Sequence, residues 1–150
     1  MRIAFCSDEP YAVHRVVRAE LEARGHTVLD FGAMLDGGEH PWATVAAAAA
    51  QAIVTGECDE GVFFCWSGTG ISMAANKLPG IRAALCTDAP TARAARVWNH
   101  ANVLCLSNRG LSDDVAKEVM VAWFEPTSPE VGAKGVELLR EVDERWRRPA

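Results

Sequence analysis

Five times along the chain a short apolar run gives way to a segment whose apolar residues recur at helical spacing. The runs are residues 1–6, 26–31, 61–64, 81–86 and 102–106. Strands this uniformly apolar are buried on both faces. Alternation with helices then predicts an α/β fold, a mostly parallel sheet with helices on both sides. The 150 residues suit a single domain, 1–150, with an adequate core.

Turn and cap residues mark the boundaries. Ser7-Asp8-Glu9-Pro10 reads as a helix entry, with capping types and an early proline. Val13, Val16, Val17, Ala19 and Leu21 form the apolar stripe of that helix, and Gly25 ends it. Residues 32–39 read as a loop around Asp36-Gly37-Gly38. Pro41 opens an alanine-rich helix that Gly56 stops. Pro79-Gly80 turns the chain into the fourth strand, and a helix over about residues 89–97 follows it. Ser112-Asp113-Asp114 caps a helix through Phe124. A last amphipathic helix ends near Trp146 and has no strand after it. Its apolar residues Val131, Val136, Leu138, Leu139 and Val142 need a surface, on their own domain or on a second subunit.

Charge and cysteine usage exclude several classes. A net charge of −5, with no basic run beyond the short tail Arg145-Trp146-Arg147-Arg148, argues against a nucleic-acid partner. No apolar run is long enough to span a bilayer, and no signal-peptide pattern opens the chain, so a cytoplasmic location without membrane contact is expected. Cysteines 6, 58, 65, 86 and 105 are odd in number and lack close pairs, which suggests neither a disulfide framework nor a metal site. Cys6, Cys86 and Cys105 lie in strand-like runs and read as small buried apolar residues.

Cys65 differs by its surroundings. The stretch Cys65-Trp66-Ser67-Gly68-Thr69-Gly70-Ile71-Ser72 joins an apolar strand to the start of a helix. Open α/β sheets bind ligands at the carboxyl ends of their strands. Small residues let the backbone turn sharply there, and helix-start N–H groups face a developing negative charge. A thiol among such donors suits removal of a proton and stabilisation of the resulting oxyanion. Gly68 and Gly70 would otherwise serve the turn alone.

Several ungapped blocks occur in one order: Ser7-Asp8, residues 25–32, Ala74-Ala75-Asn76-Lys77, residues 79–86 and residues 99–104. On these the chain resembles the type B ribose-5-phosphate isomerase and galactose-6-phosphate isomerase family over nearly its full length. The resemblance implies a Rossmann-like three-layer sandwich with a five-stranded sheet. It implies a homodimer or tetramer with shared active sites, and an aldose–ketose isomerase that needs no cofactor and no metal. The reaction passes through a cis-enediolate. The family's base is a cysteine at the position of Cys65 or a glutamate at the position of Ile71, so here the resemblance assigns Cys65. It further implies that Ser67 passes a proton between substrate oxygens. Amides from Ser67 through Gly68, Thr69 and Gly70 to Ile71 would hold the oxyanion, Asp8 would accept from substrate hydroxyls, and Asn99 would hold an oxygen.

Four departures bear on the substrate. Glu9 stands where the family has a histidine, and Trp98 where it has the ring-opening histidine. His40 and Ala43 replace tyrosines, and residues 131–137 replace a glycine-glycine-arginine-histidine run. The groups that grip a substrate phosphate are reduced to Arg109, with Lys134 as a further candidate. A changed substrate relative to ribose 5-phosphate is therefore expected. Indole is no acid at neutral pH, so His40 and His100 become candidate acids, or simply surface and capping residues. Trp66 and Trp98 line a pocket or pack at a subunit interface. Arg82, Arg93 and Arg96 read as structural or interface residues. Two rival readings are a non-catalytic or regulatory sugar-binding subunit and an epimerase using the same enediolate.

Overall fold

The computed structural model describes residues 1–147; Arg148 of the basic tail lies outside them. Strands β1 (Arg2–Ser7), β2 (Thr27–Gly32), β3 (Glu60–Cys65), β4 (Ala83–Leu85) and β5 (Val103–Ser107) form one sheet in the order β2-β1-β3-β5-β4. Every pairing is parallel. The architecture is the expected Rossmann-like sandwich.

Alternation along the strands splits the core in two. Ile3, Phe5, Val62, Phe64, Leu104 and Leu106 face helices α1 (Val13–Ala23), α5 (Ala89–Asn99) and α6 (Asp113–Trp123). Ala4, Cys6, Phe63, Cys65 and Cys105 face α3 (Trp42–Val54) and α4 (Thr69–Ala75). Alanines 46, 49 and 50 are fully buried, so the short side chains of α3 let it lie close on the sheet. All five cysteines are free and buried. Among the described residues no helix is long and apolar enough to cross a membrane.

Four local expectations need correction. Ser7 and Asp8 do not cap α1. That helix begins at Val13 with Ala12 as its N-cap and no side-chain bond, because Ser7 is already committed inside the fold. The stripe of α1 buries Val13, His14, Val17 and Leu21, while Ala19 is exposed. Residues 32–39 are not all loop: α2 (Ala33–Asp36) forms between Gly32 and Gly37, both at positive φ. Strand β4 shrinks to three residues, because the Asn102 side chain, not a strand neighbour, accepts from the Arg82 N–H at 2.8 Å.

The last helix, α7 (Ala133–Trp146), buries no residue of its own. It touches the rest of the chain chiefly along α5. Leu138, Leu139 and Val142 are each about half exposed, at 48%, 48% and 52%.

Candidate active site

From β1 the chain crosses to β2 on one side, and from β2 it returns to β3 on the other. The carboxyl ends of β1 and β3 therefore flank the switch point, where such sheets open a crevice. Asp8 follows β1 there, and Cys65 ends β3.

Each wall of the crevice is fixed by hydrogen bonds between loops. The Cys65 carbonyl accepts from the N–H groups of Asn108 at 2.9 Å and Gly68 at 3.2 Å. The Trp66 carbonyl accepts from the Arg109 N–H at 3.2 Å and from the Ser107 hydroxyl at 2.9 Å. Gly68 sits at φ +78°, and a Cβ there would stand 2.4 Å from Leu85 Cδ1 and 3.0 Å from the Leu106 backbone, so the turn requires glycine. Gly70 lies under the Trp42 ring, which a Cβ would meet at 3.1 Å. Cys65 itself is 5% exposed. Ser67 Oγ and Thr69 Oγ1 share a hydrogen bond of 2.6 Å beside it. Of the expected oxyanion donors, the Gly68 amide is committed to Cys65 and the Thr69 amide approaches Ser67 Oγ at 3.4 Å. Ile71, where the family glutamate would stand, is fully buried.

Asp8 is 7% exposed, and its Oδ1 is buried without a partner. Burial, and after it the charge of Glu9, pushes its carboxyl above the ordinary value of 3.8. Glu9 is half-buried, and the Tyr11 hydroxyl approaches its carboxylate at 3.4 Å. The His40 N–H donates to the Asp8 carbonyl at 2.8 Å, and its ring pairs with Asp36 at 2.9 Å. Beyond the Cys65 turn, Arg109 lies over the Trp66 ring at 4.5 Å, and Trp66 is 54% exposed. A cleft of about 210 Å³ opens here, lined by Ser67, Thr87, Ser107, Arg109 and Gly110 among others.

The other expected site residues stand elsewhere. Helix α5 runs back against the strands, so Trp98, Asn99 and His100 reach the amino edge of the sheet. That is a strand length from Cys65, on the order of 15–20 Å. His100 takes a left-handed φ of 46° and donates from Nε2 to the Val131 carbonyl at 2.6 Å, fastening α5 to the approach of α7. As a replacement acid it is therefore displaced from the Cys65 crevice of its own protomer. Lys134 pairs with Glu137 on α7, at the same far edge. A groove of about 1380 Å³ runs between α7 and β4, and Asp8, Cys65 and Ser67 do not line it. Arg82, Arg93 and Arg96 are tied to His100, Glu125 and Glu60 respectively.

Two residues at the crevice carried no sequence signal. His14 Nε2 bonds Asn108 Oδ1 at 2.7 Å, and Asn108 Nδ2 donates to Ser7 Oγ at 3.1 Å. In the sequence His14 merely interrupts an apolar stripe, and Asn108 merely follows a strand. The signal that finds them is a polar pair on buried faces of two elements that only the fold makes neighbours. Among the described residues no group of three metal-binding side chains converges.

Comparison with known proteins extends this geometry. The family model described as Ribose/Galactose Isomerase matches residues 3–138. The chain is 37% identical over 128 residues to the galactose-6-phosphate isomerase subunit LacB of Clostridium acetobutylicum, covering 83% of this chain and 70% of that protein. It is 37% identical over 105 residues to the D-erythrulose-4-phosphate isomerase of Pectobacterium atrosepticum, covering 70% and 69%. The structure of Clostridium thermocellum ribose-5-phosphate isomerase B superposes with a TM-score of 0.89 at 35% identity, over 98% of this chain and all of that one (100%). Three relatives named for three sugars stand at similar distance, so the likeness fixes the family and not the sugar. The chain belongs to the ribose/galactose isomerase family.

Proposed function

We propose that this protein is an aldose–ketose isomerase acting on a sugar or sugar phosphate through a cis-enediolate, with Cys65 as the base. The observation that carries the reading is the convergence at the switch point. An orphaned carboxylate oxygen on Asp8, the Cys65 thiol and the Ser67–Thr69 hydroxyl pair all lie at the carboxyl ends of the neighbouring strands β1 and β3.

The chemistry follows from these groups. The Cys65 thiolate takes the proton from the carbon next to the substrate carbonyl, and the electron pair forms the enediolate. The same sulfur returns the proton to the neighbouring carbon. The Ser67 hydroxyl, hydrogen-bonded to that of Thr69, passes a proton between the two substrate oxygens. Free amides at the start of α4 hold the negative charge while it lasts. Asp8 accepts from a substrate hydroxyl, which gives its Oδ1 the donor it lacks. His40, bonded through its N–H to the Asp8 carbonyl, is the candidate for ring opening within this protomer.

Glu9 beside Asp8 makes this end of the crevice acidic, which disfavours a phosphate dianion. Arg109 stands across the Cys65 turn, on the Trp66 ring. The substrate accordingly differs from ribose 5-phosphate, or places its anionic group at the Arg109 side. Trp98 and Asn99 complete the site of a second copy, on which α7 docks in a homodimer or tetramer. Their position at the far sheet edge and the absence of any buried residue on α7 support this.

The test is solvent-deuterium exchange into a panel of open-chain and phosphorylated four- to six-carbon sugars, with the parent and with Cys65→Ala. Exchange is expected with at least one sugar, falling about 10²–10⁴-fold in the variant. Exchange that survives in Cys65→Ala removes the base assignment. No exchange with any sugar favours the sugar-binding subunit, and retention of the carbonyl position with inverted configuration favours an epimerase. Family-typical turnover of ribose 5-phosphate overturns the changed-substrate reading.

A further inference from the structure

A buried chain of hydrogen bonds joins the two loops of the crevice. Tyr11 N–H donates to His14 Nδ1 at 3.2 Å, so the imidazole proton sits on Nε2. Nε2 then donates to Asn108 Oδ1 at 2.7 Å. Asn108 Nδ2 donates to Ser7 Oγ at 3.1 Å, and Ser7 Oγ donates to the Glu9 carbonyl at 2.7 Å. Each link fixes the direction of the next, which leaves neutral His14 and one amide orientation. Ser7, Asn108 and His14 are 0%, 6% and 6% exposed.

The chain has no role in filling the core that apolar residues would not serve better. A buried polar pair loses hydration, and an apolar pair of similar shape is often as stable. What it does is geometric. The backbone N–H of Asn108 holds the Cys65 carbonyl, and its side chain holds Ser7, the residue before Asp8. Arg109 follows Asn108 directly. Asp8 Oδ1 has no partner of its own, so where it points depends on how the backbone beneath it is held. His14 in turn is set by the Phe64 ring at 4.6 Å and the Phe5 ring at 6.4 Å.

We propose that His14 and Asn108 are positioning residues: through them the loop bearing Asp8 and the turn bearing Arg109 are locked in one register around Cys65. Their role in catalysis rests on the isomerase reading above; the locking itself does not.

Two variants and two readouts test it. His14→Phe keeps an aromatic ring against Phe5 and Phe64 and removes both hydrogen bonds. His14→Gln returns an amide donor for Asn108. Steady-state kinetics are measured with D-erythrulose 4-phosphate and D-ribose 5-phosphate. Amide hydrogen exchange is followed at His40 and Asn108, whose N–H groups report the Asp8 and Cys65 carbonyls. In His14→Phe, kcat/KM is expected to fall about ten- to hundredfold, the scale of a small misplacement of reacting groups. The His40 and Asn108 amides exchange faster while that of Leu104 in β5 does not, and His14→Gln recovers both properties. Unchanged kcat/KM in folded His14→Phe overturns the proposal, as does uniform acceleration of all amides or no recovery in His14→Gln. Should His14→Phe not fold, Asn108→Ala breaks the same chain and is read the same way. If the parent turns over neither sugar, the isomerase reading fails for these substrates, and the exchange pattern alone decides the locking.

Discussion

Gly68 offers a quantitative test of how the Cys65 turn is held, because this chain supplies its own control. Gly68 and Gly80 share the same left-handed φ of +78°. A Cβ at Gly80 meets nothing within 4 Å, whereas at Gly68 it meets Leu85 Cδ1 at 2.4 Å and the Leu106 C and O atoms at 3.0 and 3.1 Å. Gly80→Ala therefore reports backbone strain alone, about 1–2 kcal/mol. Gly68→Ala carries the same strain plus overpacking, typically about 1–3 kcal/mol more, since the Leu106 backbone has no room to yield. The expected losses are about 1–2 and about 2–5 kcal/mol, against a typical stability of about 5–15 kcal/mol. Urea unfolding followed by circular dichroism measures both midpoints at equal slope. The Gly68 variant must also lose activity on whichever sugar the parent exchanges, because the strained turn carries Ser67. Equal destabilisation by the two substitutions would refute the close approach of the turn to β4 and β5.

Three further outcomes follow from the same geometry. Burial, more than any neighbour, holds the His14 imidazole below its ordinary 6.5, opposed by the bond to Asn108 and aided by Arg18. The unfolded chain therefore binds the proton more readily; stability from neutral His14 is fully present above pH 6.5 and is lost as pH falls from there toward the folded value, a slope that His14→Gln should abolish in urea titrations. Asp8 has the opposite sign: its raised carboxyl value means that ionisation costs native stability as pH rises through it. Asp8→Asn should thus gain about 1 kcal/mol at neutral pH while losing turnover, and a loss of stability with full activity would contradict the assigned role. Arg109→Lys keeps the charge but gives up the planar stack on Trp66, so it should raise KM for a phosphorylated substrate more than about threefold with little change in unfolding midpoint. An unchanged KM separates Arg109 from the substrate.

Much of this protein was readable before any fold was known. Apolar runs separated by amphipathic segments determined five strands and their parallel sense, because a strand covered by helices needs apolar residues and a helix to return the chain. The edge strands β2 and β4, expected to be buried on both faces, are only half-buried because each has a neighbour on one side alone. Gly25, Gly56 and Gly68 marked ends and turns because positive φ is a local steric property. Cys65 was identifiable as a site candidate because an apolar run meets a glycine-rich turn and a helix start there, whereas Ser67 and Asp8 took their expected roles from the family resemblance. The tertiary structure decided what depends on which elements become neighbours. It placed β4 at the sheet edge beside β5, where the Asn102 side chain takes the Arg82 N–H and the strand stops at three residues. It took Ser7 away from capping α1 and gave it to Asn108, 101 residues on. It sent Trp98, Asn99 and His100 to the opposite edge from Cys65, so one protomer does not bring them together with it. It also joined His14 to Asn108 across 94 residues. Periodicity and cap chemistry act within a few residues and are written into the chain; hydrogen bonds between distant buried groups exist only once packing has chosen their neighbours.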